Sequence, residues 1–441
     1  MTKTRLPNIP PPDENRTPDP AKSNRPAGRG RTAPRSLAAQ GRVAPLIRLP
    51  RGRFHPPHCP NRYCRFYQPD PDWSFSRWGF YLAPSSPKPL QRFRCASCKR
   101  TFSPRTFAVT YWLHHWDLFV DIVGRSVSGS AFRQIARCLE ITHSTVARHL
   151  TRAARCCLIK HARLVENATL REPVIVDGFE TFEFSQYFPY HAHLAVGQES
   201  WFLYHFTDSP LRRKGKMRPD QKRRREELED LLGRPDPKAI QIGVRDLVRE
   251  LTRLSRPPKE RTTDPSGADL PPKDGAPSSP VILRLHTDDH PAYRRSLADL
   301  RREPGCPKIV HEVTPSTDPR TRANKLFAVN LADLLLRHCG ADHRRETIAF
   351  GKRRQAGMER IAVFAVWRNT IKRRRENGPP ETAAMRAGIL DHRWSWRDVF
   401  ARRLFPRRCE LTKVWWDYYH RLVKTPVLGA NQTENRARFA F

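Results

Sequence analysis

PVIVDGFETFEF, residues 173–184, marks the point where the periodicity of the chain changes. Val174, Ile175 and Val176 form a β-branched run that ends on Asp177 and Gly178, and such a run bounded by turn formers predicts a strand. YHAHLAVGQES (190–200) and WFLYHFTDS (201–209) carry the same signature, so the three segments read as a meander whose first strand bears an acid. Downstream, PVILRLHTDD (280–289) predicts a strand, HPAYRRSLADLRR (290–302) a helix and PKIVHEV (307–313) another strand, with long helices over 322–339 and 353–373. Residues 209–280, between the meander and the fourth strand, are rich in charge and proline and read as an insertion. RPDQKRRREELEDLL (218–232) and KAIQIGVRDLVRELTRLS (238–255) predict helices inside it, and 257–280 predicts no structure. Extra length between strands is tolerated because closure entropy grows slowly with loop size.

Three antiparallel strands, then helix, strand, helix, strand and helix, is the layout of an RNase H-like α/β domain with a mixed sheet, expected over 170–375. Two smaller units are expected before it. In QRFRCASCKRTF (91–102), Cys95 and Cys98 follow a first pair, Cys59 and Cys64 in CPNRYC, and two short-spaced pairs separated by a loop suit a tetrahedral Zn2+ site. This predicts a zinc ribbon over 55–104. His55 and His58 flank the first pair, but four cysteines already complete a site, so both read as surface or phosphate-contact residues.

Residues 106–126 show Val109, Trp112, Trp116, Phe119 and Val123 at helical spacing. After a break at Ser128-Gly129-Ser130, Phe132, Ile135 and Leu139 form one stripe, Thr142, His143 and Ser144 a turn and N-cap, and Val146 and Leu150 a second stripe. Two short helices around a tight turn predict a helix-turn-helix within 105–165, with Arg148, His149, Arg152 and Arg155 on the face turned to DNA.

The charge supports a polyanionic partner. The 441 residues include 81 Lys and Arg against 44 Asp and Glu, a formal charge of +37, and each cation placed on a phosphate releases a counterion. Double-stranded DNA is the expected partner. Apolar content is only 38%, with 41 prolines, so part of the chain is expected to be unpacked. That part is residues 1–54, a basic arm with ten prolines. Residues 376–441 form a basic, aromatic extension whose Trp394, Trp396, Trp415, Trp416, Tyr418 and Tyr419 suit either stacking on DNA or packing against the protein. No apolar run is long enough to span a membrane and no secretory h-region is evident, so a cytoplasmic protein is expected. Cys138, Cys156, Cys157, Cys306, Cys339 and Cys409 then read as buried structural thiols.

Phosphodiester cleavage requires carboxylates converging on two divalent metals. Asp177 and Asp288 end the apolar runs of the first and fourth strands, which are neighbours in an RNase H-like sheet, so the two can share Mg2+. Asp289 directly precedes the next helix and reads as its N-cap. Asp333 stands among Val329, Leu331, Leu334 and Leu335, where a carboxylate is costly unless paired or metal-bound, and is the expected third ligand; Glu346 is the competitor.

Three blocks then carry a resemblance: QRFRCASCKRTF, LRLHTDDHPAY (283–293) and RHCGADHRRETIAFGKR (337–353). Over 59–372 the chain resembles bacterial insertion-sequence transposases of the zinc-ribbon, helix-turn-helix, DDE type. The resemblance implies a polynucleotidyl transferase that binds element ends and target DNA as a homo-oligomer. It assigns phosphate contacts to Arg337, Arg344, Arg345 and Lys352. The family's glutamate would fall at Asn330, one turn before Asp333, so the third ligand is Asp333, Glu346 or the amide of Asn330. A non-catalytic DNA-binding regulator or decayed transposase, and more distantly a structure-specific nuclease, are the alternatives.

Overall fold

A computed structural model describes residues 54–82, 89–166, 168–256, 282–406 and 409–431, which belong to one compact unit. The basic arm before Phe54 and the stretch 257–280 lie outside the described residues.

The strands predicted from residue 173 onward all form. β4 (Val174–Phe182), β5 (Pro189–Gly197) and β6 (Leu203–Pro210) are antiparallel, and β7 (Ile282–Thr287) and β8 (Lys308–Val313) run parallel to β4. The spatial order is β6-β5-β4-β7-β8, a mixed five-stranded sheet. Alternation along β4 sends Ile175 and Phe179 to one face and Val174 and Val176 to the other. The first face is covered by the C-terminal half of α3 (His143–Glu166), by α7 (Phe327–Cys339) and α8 (Arg354–Val366), and by α11 (Lys413–His420). The second is covered by α5 (Ala239–Ser255), α6 (Pro291–Leu300) and α9 (Ala383–Arg386). α5 comes from the stretch read as an insertion, yet its Val244, Leu247, Val248 and Leu251 are fully buried against the sheet. Only α4 (Pro219–Leu232), with Glu229 as its one buried residue, stays peripheral.

A small antiparallel sheet of β1 (Phe75–Tyr81), β2 (Leu90–Cys95) and β3 (Thr101–Phe102) precedes the helices. α1 (Phe119–Ser126), α2 (Phe132–Cys138) and the first half of α3 share a core with α10 (Trp396–Phe400) and with Val363 and Val366 of α8. At 24 residues, α3 is a beam about 36 Å long that joins this helical unit to the sheet.

Two local expectations fail, and one left open is decided. The helix expected from residue 106 begins only at Phe119, because Trp112 (φ 64°) and His115 (φ 50°) turn left-handed. Arg152 explains the detour: its buried guanidinium takes the Val109 and Tyr111 carbonyls at 2.9 and 2.6 Å, groups a helix would use internally. The aromatic tail is packed rather than presented, with Trp415, Tyr418 and Tyr419 in the sheet core and only Trp416 of α11's aromatics exposed. Cys138 is exposed, and Cys306 and Cys409 are half-buried, so burial fits only Cys156, Cys157 and Cys339. Among the described residues no helix is long and apolar enough to cross a membrane.

Candidate metal centre and acidic edge

The four ribbon cysteines are brought together by two turns. Asn61 closes the first, its carbonyl accepting from the Cys64 N–H at 2.9 Å, and Lys99, left-handed at φ 58°, closes the second onto the Cys95 carbonyl. All four Sγ atoms lie within 4.8 Å of one another, Cys59 to Cys98 at 3.6 Å and Cys64 to Cys95 at 3.9 Å. A tetrahedron of thiolates about 2.3 Å from zinc has edges of about 3.8 Å. The set can therefore hold a metal ion such as Zn2+. Burial, then the neighbouring thiols Cys95 and Cys98, push the Cys59 thiol up. Against the upward push of burial, the Trp73 indole N–H and the Cys98 and Ser97 amides pull Cys95 down to about 7. His58 is a core residue, 2% exposed, with Phe107 and Phe405 edge-on to its ring, and not the surface histidine expected. His55 is exposed.

Topology instead brings the acids toward one edge. β4 and β7 pair in parallel up to Val176 and Thr287, and one residue further stand Asp177 and Asp288. α7 lies against this face through Ala328, Val329, Ala332 and Leu336, which carries Asp333 to the same edge. Gly178 follows Asp177 because a Cβ there would sit 2.6 Å from the Ala192 carbonyl and 2.7 Å from the His191 ring. Burial raises the Asp177 carboxyl to about 7; the Gly178 amide opposes this, and Asp288 and Asp333 push it further up. Burial also raises Asp333, against Arg337, Arg320 and Arg345. Tyr293 of α6 is buried behind Asp177 and Asp288, its hydroxyl raised by burial and by both charges.

Several assignments change. Asp289 is exposed and does not cap α6; the His290 ring accepts the Ala292 amide, and Asp288 itself accepts the His290 amide at 3.0 Å. Of Arg148, His149, Arg152 and Arg155, the four expected to face DNA, only Arg148 is exposed. His149 (1% exposed) bridges the Thr145 and His115 carbonyls, and Arg152 (2%) is held as above. Arg155 donates to the Tyr419 carbonyl at 2.7 Å. These three hold helices together rather than face DNA. The turn expectation does hold at Thr142, whose hydroxyl caps Thr145.

Arg337 is likewise engaged, pairing with Asp333 at 3.1 Å, donating to the His343 and Glu180 carbonyls and covering the Phe179 ring. Arg344 ties Gly129 to His338. Arg345, Lys352 and the competitor Glu346 are exposed, and Asn330 is half-buried. Arg320, which lowers Asp177 and Asp333, carried no signal in the sequence because it sits in an irregular loop. Among the described residues no other group of three or more His, Cys, Asp or Glu gathers its ligand atoms as the four cysteines do. No protein-family model matches the chain, and no curated protein matches it.

Proposed function

We propose that the chain is a DNA transposase with an RNase H-like catalytic domain, which binds the ends of an insertion sequence and carries out metal-dependent cleavage and strand transfer. The observation that carries this reading is the placement of Asp177 and Asp288 one residue beyond the last parallel pair, Val176 and Thr287, with Asp333 close enough that both acids repel the Asp177 charge. Three carboxylates near one edge suit a hard divalent cation, whose charge would offset the burial, and then the repulsion, that raise Asp177 to about 7. Asp177, Asp288 and Asp333 would hold two Mg2+ ions, which supply activation of the attacking oxygen and stabilisation of the leaving one.

The protein's own groups do the rest. Arg337 positions Asp333 through their ion pair, while Arg320, Arg345 and Lys352, all exposed, draw phosphates to the edge. The ribbon and the exposed rim of the helix-turn-helix, with Arg133, Arg137 and Arg148, supply DNA contact, and a homo-oligomer on DNA pairs two ends.

The test is nicking of a supercoiled plasmid carrying the element's ends, with Mg2+ or Mn2+. Wild type should cut. Asp177→Asn and Asp333→Ala should lose cutting by about 1,000-fold or more, near the full contribution of metal-held charge, while retaining end binding. Cutting by Asp333→Ala at the wild-type rate would move the third ligand elsewhere. A non-catalytic regulator is the second reading, favoured by the looser gathering of the acids. It requires end-specific binding with no cutting by any variant.

A further inference from the structure

The helix-turn-helix and the acidic edge leave one strongly basic feature unused. A cavity of about 520 Å3 opens between the β5–β6 turn, the segment entering α7 and the stretch from Arg374 to α9. Arg322, Lys325, Arg374, Arg375 and Arg386 line it, with Glu199 the one carboxylate among the lining residues. Arg374 is fixed in place, donating to the Glu199 carbonyl at 3.0 Å and lying 4.5 Å over the Trp201 ring, with the Glu381 carboxylate 3.5 Å away. Arg375 reaches the same ring at 5.8 Å. Burial first, then Arg375, lower the Arg374 pKa; Glu381 opposes them, and Arg386 and Arg322 lower it further, so four guanidinium groups share one space with one nearby carboxylate acting against them. Crowding of like charges is unfavourable by Coulomb repulsion unless an anion relieves it, and the volume falls in the range of ligand sites.

We propose that this cavity docks the phosphodiester backbone of the nucleic-acid strand that passes over the acidic edge. The inference rests on the DNA reading above and adds a second contact surface to it. Continuity argues for a strand rather than a small phosphate. Ile175, in the cavity wall, is two residues before Asp177 on the same strand and face, about 7 Å away. Arg320 acts on Asp177 and Asp333, and Arg322, two residues on, lines the cavity. Arg320 and Arg322 therefore link the acids to the cavity.

The experiment is fluorescence anisotropy of a labelled DNA duplex bound by the full chain, titrated with salt. Wild type is compared with Arg375→Ala/Arg386→Ala and with a control of equal charge loss on exposed α4, Arg223→Ala/Arg224→Ala. Each phosphate contact removed flattens the slope of log K against log salt by about 0.9. The cavity variant should lose about one to two units of slope and roughly tenfold in affinity, and the control far less. Equal slopes for the two variants, with binding intact, overturn the proposal. Tripolyphosphate bound by wild type and lost in the cavity variant, while the DNA slope stays unmoved, would also overturn it in favour of a free phosphate compound. Absence of DNA binding by wild type would instead remove the functional reading on which it stands. Unchanged melting temperatures show that the variants are folded, and Arg386→Glu, on an exposed side chain, gives the same readout if the double variant is unstable.

Discussion

The ribbon and the acidic edge each gather groups that repel one another when ionised, and they do so by different means. Four thiols reach tetrahedral spacing because two turns of a few residues place them there, so spacing along the chain fixes spacing in space. The three carboxylates come from β4, the end of β7 and α7, separated by long stretches of chain, and only the sheet order brings them near. They feel each other's charge, yet no three described acids gather as the cysteines do. A ligand set made by local turns is complete before any ion arrives. One made by topology stops at an approach, which on the proposed reading a counter-ion would finish.

The largest expected effect breaks the first half of this comparison. Structural zinc contributes about 10 kcal/mol or more to small thiolate sites. Cys95→Ser should therefore lose bound zinc and the order of the ribbon, seen as one fewer equivalent of zinc and a changed Trp73 fluorescence. The five-stranded sheet, whose core does not include the ribbon cysteines, should keep its melting transition. Collapse of the whole chain would show that the ribbon is not locally built.

The same contrast explains what was legible in the sequence. Cys59, Cys64, Cys95 and Cys98 could be read from spacing, and the strands from β-branched runs such as Val174–Val176. Asp177 and Asp288 could be paired only by assuming a strand order. The inward-facing cations could not be read at all. A helical stripe shows which residues share a face, but α3 is enclosed from Leu150 to Cys157 by the helical core it shares with α1, α2, α8 and α10 and by Tyr419 of α11, so its basic side becomes interior. Arg152 thereby turns from a DNA contact into the clamp on residues 109–111. Arg152→Ala should lower stability by roughly 3 kcal/mol, since two carbonyls lose their donor in a buried site. Arg148→Ala, at the exposed neighbour, should leave the melting temperature unchanged and weaken DNA binding. The reverse pattern would restore Arg152 to the interface.

A smaller effect tests whether the acids are held in repulsion. The Asp177 carboxyl is raised from 3.8 to about 7, with burial the largest cause and the neighbouring acids next. A raised carboxyl binds its proton more tightly folded than unfolded. Its contribution is therefore fully present below about pH 4 and lost as pH rises through 7. The shift corresponds to roughly 2–4 kcal/mol. Without added Mg2+, Asp177→Asn should melt higher than wild type at pH 8 and not at pH 4. A variant that melts lower at pH 8 would mean that the charge is compensated by Arg320 and Arg337 and that the edge is an ordinary ion-pair network.

The smallest effect sharpens the idea that a counter-ion completes the edge. A cation that binds the folded chain alone stabilises it by RT ln(1 + [L]/Kd), about 1.4 kcal/mol at ten times Kd. Mg2+ should raise the wild-type melting temperature by a few degrees at pH 8 and less at pH 5. At the lower pH the proton already neutralises Asp177, and the ion must displace it. Asp177→Asn should abolish the shift, because removing one carboxylate removes both the repulsion and a ligand. Zinc at the ribbon gives no such pattern: its thiols stand at ligand spacing already, so binding there should leave the pH dependence set by Asp177 unchanged. A Mg2+ shift that survives in Asp177→Asn would place the divalent ion away from this edge, and the carboxylates would then be close neighbours without a shared ion.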